Sequence, residues 1–113
     1  MRLPSAANLR EHWAVRAKRA KGQRERAWLH VRGALPLATL QRARVVGAII
    51  ELVRVAPRKL DSDNLASAFK AVRDGVADCL GIDDGDERLE WRYSQRRGKP
   101  GELAVEIEIM VKA

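Results

Sequence analysis

A single cysteine, Cys79, cannot close an internal disulfide, which leaves the chain to be held by packing and fits a reducing compartment. Two histidines beside that one thiol are too few for a structural zinc site, so any bound metal is expected to be a hard cation held by oxygen. Aromatics are scarce as well. With three Trp, one Tyr and one Phe, the core is expected to come from Val, Ile, Leu and Ala. No apolar run approaches the ~20 residues needed to cross a bilayer. The opening MRLPSAANLREHW also lacks the apolar stretch of a secretion signal. No membrane partner and a cytoplasmic location are therefore expected. What is present is a globular composition, 46% apolar over 113 residues, which suits one domain spanning 1–113.

Charge is abundant and unevenly placed. The formal net charge is +7, yet from Asp61 to Glu90 nine acids face three basic residues, a local balance of −6. Arg10 to Arg32 reverses this, with eight basic residues against two acids. Arg58 and Lys59 precede the acidic stretch, and Arg96, Arg97 and Lys99 follow it. Basic stretches around an acidic centre suit a polyanion gripped by its phosphates while metal-binding carboxylates meet one of them. On charge alone the alternative, a solvated basic surface that keeps a small protein soluble, stands equally.

The hydrophobic pattern divides the chain. In the basic segment 8–31, Leu9, Trp13, Ala17, Ala20, Ala27, Trp28 and Val31 recur at helical spacing, with Gly22 as a weak point. GALPLATLQ reads as a connector. Ala43 to Val55, rich in β-branched residues and apolar on both faces, reads as an interior strand covered on both sides and ended before Pro57. A helix over 64–80 carries the stripe Leu65, Phe69, Val72, Val76 and Leu80, and Gly81 stops it. From 88 to 112, two alternating segments around RRGKPG predict a hairpin. The expected fold class is α+β: a small single-layer sheet of three or more strands with helices packed on it, in the order helix-strand-helix-strand-strand.

The acidic segment 57–86 carries the chemistry. Asp61 and Asp63 are two residues apart, so in extended backbone both carboxylates project to one side. Asp83 and Asp84 follow the helix in a glycine-flanked turn. Mg²⁺ asks for oxygen ligands and keeps several waters, so two or three carboxylates and a substrate phosphate would satisfy it. Taken alone, D-x-D-N before a helix is more often only an N-cap, and DDGDE only a polar turn.

The 30 residues LDSDNLASAFKAVRDGVADCLGIDDGDERL resemble the RusA-like Holliday junction resolvases, endonucleases often carried by prophages. The pattern of that family is D-x-D-N-L, a helix containing an Asp, and a loop ending in D-D. Here those are Asp61, Asp63, Asn64 and Leu65, then Asp74, then Asp83 and Asp84. The resemblance implies a homodimeric, Mg²⁺-dependent enzyme (Mn²⁺ serving in its place) that nicks a four-way DNA junction, with no small-molecule cofactor. It implies Asp61, Asp63 and Asp84 as metal-binding catalytic acids. Where the family has a lysine, four residues after the second Asp, this chain has Ser67. Lys70, one turn on, or Lys59, just upstream, would have to supply that charge. The basic residues expected at phosphates are Arg16, Lys18, Arg19, Arg58, Lys59, Arg96, Arg97 and Lys99. Two alternatives stay open: a relative that binds branched DNA without efficient cleavage, and an unrelated protein whose acidic turn binds a basic partner.

Geometry adds one expectation. A straight helix over 64–80 spans ~25 Å, and Asp84, four residues past its end, reaches back at most ~14 Å. Asp84 then cannot join Asp61 and Asp63 within one chain unless the helix kinks, with Gly75 the expected place. Two helices antiparallel across a two-fold axis would bring Asp84 of one copy to the other's Asp61 and Asp63. Asp74 and Asp78 read as structural, and Trp13, Trp28 and Trp91 as core.

Overall fold

The computed structural model describes residues 9–12 and 20–112. The elements run β1 (Leu9–His12), α1 (Ala20–Ala34), α2 (Leu37–Val46), β2 (Ala48–Ala56), α3 (Ser62–Ala68), α4 (Lys70–Leu80), β3 (Leu89–Arg97) and β4 (Ala104–Val111). The architecture is α+β, with the helical core packed on a four-stranded mixed sheet of order β1-β4-β2-β3. β2 is parallel to β3 and antiparallel to β4, and β4 is antiparallel to β1. A parallel pair needs a long crossover, and α3 with α4 supplies it.

The expected hairpin over 88–112 is corrected by this order, because β3 and β4 lie on opposite sides of β2 and do not pair. The turn itself is real. Glu102 N donates to Lys99 O at 2.9 Å, with Pro100 inside and Gly101 at φ 80, the chemistry of a type II turn. Local alternation identifies two strands and a turn but not their neighbours. The more apolar β2 takes the central place between them.

The helix expected over 8–31 is corrected at its start. Residues Leu9–His12 form a strand whose Leu9 registers with Ile107, and α1 is described over Ala20–Ala34, with 13–19 outside the described residues. The segment expected to connect becomes α2, which starts after Pro36 and buries Leu40 and Ala43. Gly47, at φ 89, closes α2 and opens β2, and a Cβ there would lie 3.1 Å from that of Arg88. The strand therefore starts at Ala48, not Ala43. Its helix-side residues Ala48, Ile50 and Leu52 are buried, whereas on the other face Ile49, Glu51 and Val53 are half-buried and only Val55 is fully buried, so the described elements cover that face in part.

The apolar stripe of the acidic segment is buried as its spacing predicts, from Leu65 at 7% exposure to Leu80 at 0%. It belongs to two helices, however. Phe69 (φ −90, ψ −3) is a single right-handed turn residue between them, its N–H shared by Leu65 O and Ala66 O and its ring buried and stacked on Tyr93 at 5.4 Å. Gly75 is no kink. It is where α1 crosses α4, and a Cβ on it would come within 2.9 Å of the Ala27 Cβ. Arg24 and Asp78 flank that crossing with two hydrogen bonds of 2.5 and 2.9 Å. Gly81, at φ 73, ends α4 in the left-handed conformation. Trp28, expected in the core, is instead exposed on α1. Trp13 lies outside the described residues.

Candidate functional site

The site begins where β2 ends. Its last residue, Ala56, registers with Arg97, the last of β3, and Gly98 N donates to Ala56 O at 2.9 Å. Two basic groups far apart in sequence therefore meet at one end of the sheet: Arg58 and Lys59 after β2, Arg96, Arg97 and Lys99 at the end of β3. All five are exposed. Arg96 is partly neutralised by Glu106 at 2.8 Å, and the Arg58 carbonyl accepts from Arg54 Nη1 at 2.6 Å. Arg16, Lys18 and Arg19 lie outside the described residues.

Asp61 and Asp63 stand at this same end. The Gln95 side chain of β3 holds Leu60 through both its backbone groups, accepting from N at 3.0 Å and donating to O at 2.8 Å. That fixes the chain just before Asp61. Asp61 then caps α3, its Oδ1 accepting from Asn64 N at 2.9 Å. Asp63 is exposed in the first turn, and its carboxylate has no hydrogen bond or ion pair among the described residues. Ser67 is exposed on the same helix.

Asp84 belongs to a second cluster. Arg73 of α4 donates from Nε to Asp84 Oδ2 and from Nη2 to Asp84 O, each at 2.9 Å, and from Nη1 to the Tyr93 hydroxyl at 2.6 Å. Its guanidinium lies over the Trp91 ring at 4.8 Å, and Trp91 Nε1 donates to the same Asp84 carbonyl at 2.9 Å. Burial works against the Arg73 charge, but the bonds to Tyr93 and Asp84 outweigh it and raise its pKa. Lys70 Nζ sits 3.1 Å from Asp74 and 4.0 Å from Asp84, so Lys70 adjoins the second cluster. Next in the turn, Arg88 holds the Asp86 carboxyl down to about 2 through its hydrogen bonds.

The anchors of the two clusters both lie on β3. Gln95 anchors the Asp61 end and Trp91 the Asp84 end. Four residues at ~3.3 Å each separate them by roughly 13 Å. One chain does not bring Asp61, Asp63 and Asp84 together, and among the described residues no group of three or more His, Cys, Asp or Glu could hold a metal. The donor chemistry of Asp61 and Asp63 fits a hard divalent cation, but Asp84 is held in the second cluster by Arg73. Asp74 and Asp78 pair with Lys70 and Arg24. Arg73, Trp91, Tyr93 and Gln95 were not expected at the site, although the alternation along β3 puts the last three on one face.

No family model matches the chain, and no solved structure matches it. An uncharacterized protein of Xylella fastidiosa (strain Temecula1 / ATCC 700964) is 38% identical over 81 residues, which cover 68% of this chain. The chain spans about half (51%) of the length of that curated relative. Among the described residues no helix is long and apolar enough to cross a membrane.

Proposed function

We propose that the chain is a RusA-like crossover junction endodeoxyribonuclease, a homodimer that nicks four-way DNA junctions with Mg²⁺. The observation that carries this reading is the meeting of Arg58, Lys59, Arg97 and Lys99 with the exposed Asp61 and Asp63 at one end of the sheet. Exposed cations there suit the phosphates on either side of a scissile bond. Asp61 and Asp63 would hold the cation from one copy, and Asp84 of a second copy would complete the set. A divalent cation so held supplies polarisation of the phosphodiester and acidifies water. Lys70, beside Asp84, is the basic group for the departing oxygen where Ser67 offers none. A DNA substrate sets the action in the cytoplasm.

A second reading, binding of branched DNA without efficient cutting, is favoured by one observation: Ser67 stands where the RusA-like family has a lysine.

A synthetic four-way junction with Mg²⁺ tests the proposal, with Asp63→Asn beside the unaltered chain. Paired nicks from the unaltered chain are expected to vanish in Asp63→Asn while junction binding persists. Cutting that survives Asp63→Asn contradicts the proposal, and tight binding without cutting by either protein supports the second reading.

A further inference from the structure

Four acids lie from Asp83 to Glu87, and among the described residues only Asp84 is held by donors from two different elements, α4 and β3. Asp83 accepts from Gly85 N, and Asp86 pairs with Arg88, both within the turn itself. Arg73 spends two arms of its guanidinium on Asp84, one on the carboxylate and one on the carbonyl, which fixes the side chain in orientation as well as position. Tyr93 and the Trp91 face hold the guanidinium in turn. Asp84 Oδ1 has no partner among the described residues, and the side chain is 28% exposed, so it remains reachable. Packing alone does not call for this arrangement, because an apolar side chain of similar volume would cover Trp91 without burying a charge.

We propose that Arg73 is the positioning residue of the Asp84 carboxylate, holding it with Trp91 and Tyr93 so that one oxygen is anchored and the other is presented. The proposal rests on the reading of Asp84 as a working acid. It makes Arg73 a supporting group that acts through Asp84, in the way a partner hydrogen-bonded to a metal-binding carboxylate does.

The test compares Arg73→Ala and Arg73→Lys with Asp84→Asn in the full chain. The readouts are junction cleavage, junction affinity, and Mn²⁺ affinity from the spin-resonance signal of the free ion. Arg73→Ala is expected to cut about 100-fold more slowly and bind Mn²⁺ about 10-fold more weakly, with junction affinity retained. Free guanidinium ion should restore part of the cutting in Arg73→Ala and none in Asp84→Asn, a difference that a merely structural role would not produce. Arg73→Lys, which keeps the charge, carries the test if Arg73→Ala does not fold, and an intermediate loss is expected of it. Unchanged cutting and Mn²⁺ affinity in the Arg73 variants, while Asp84→Asn loses both, overturns the positioning role alone. Tighter Mn²⁺ binding on removal of Arg73 also overturns it, since Arg73 would then compete for Asp84. If Asp84→Asn itself changes nothing, the reading of the site fails and the positioning role with it.

Discussion

Gly75→Ala tests the packing on which the site rests. An alanine in the interior of α4 gains up to ~1 kcal/mol of helix propensity. Against this, its Cβ would lie 2.9 Å from that of Ala27 and 3.0 Å from the backbone carbon of Arg24. Neither obstacle is the free end of a flexible side chain, so relief requires α1 to lift off α4. Overpacking of this kind costs about 1–3 kcal/mol, and a backbone obstacle argues for the upper end. The net expectation is a loss of about 2 kcal/mol, or on the order of 8 °C in Tm for a domain of this size. Lifting α1 also loosens the Arg24–Asp78 pair, but with side chains 50% and 43% exposed that pair adds little. Urea unfolding of the two proteins measures the difference. A Gly75→Ala protein as stable as the unaltered one, or more so, would mean that helix propensity dominates and would refute the close approach of α1 and α4.

Two further predictions concern the acids and Ser67. Arg88 holds Asp86 at about 2, below its ordinary 3.8, and Arg24 lowers Asp78 in the same direction. A carboxyl depressed in the folded state stabilises fully above its unfolded pKa and loses that contribution as pH falls through the folded one. Thermal stability should therefore decline as pH falls from about 4 to about 2, and Asp86→Asn should decline less over that window; equal slopes would contradict the assignment. Ser67→Lys is expected to raise junction cleavage by more than ~10-fold if no other cation serves, and to change it little if Lys70 already does. Single-turnover rates on a junction distinguish the two.

The central helical stripe was legible because five apolar residues from Leu65 to Leu80 keep helical spacing and Gly81 ends them with a positive φ. The break at Phe69 was not. Nothing in the local pattern marks it, and the ring is held by Tyr93, which is distant in sequence. The strand expected from Ala43 starts four residues late, because Ala43–Val46 end α2, with Ala43 buried and Val45 exposed, and Gly47 at φ 89 separates helix from strand. Local β-branching alone does not mark that boundary. Hairpin pairing failed for a related reason, since the turn at Pro100–Gly101 specifies a reversal but not that β2 lies between its arms. At the site, the motif acids and the exposed cations could be named from sequence. The clamp around Asp84 could not, because Arg73 reads as one more solvated charge until Trp91 and Tyr93 are seen beside it.

In the proposed nuclease one working site needs two copies, because among the described residues of one chain no group of three or more His, Cys, Asp or Glu could hold a metal. Mixing the separately inactive Asp63→Asn and Asp84→Asn proteins tests it most directly. After subunit exchange half of the dimers are mixed, and each mixed dimer has one of its two sites intact. Nicking of a four-way junction should therefore recover to about a quarter of the unaltered level. A mixture that binds the junction yet stays as inactive as its parents, with exchange verified, would contradict the account.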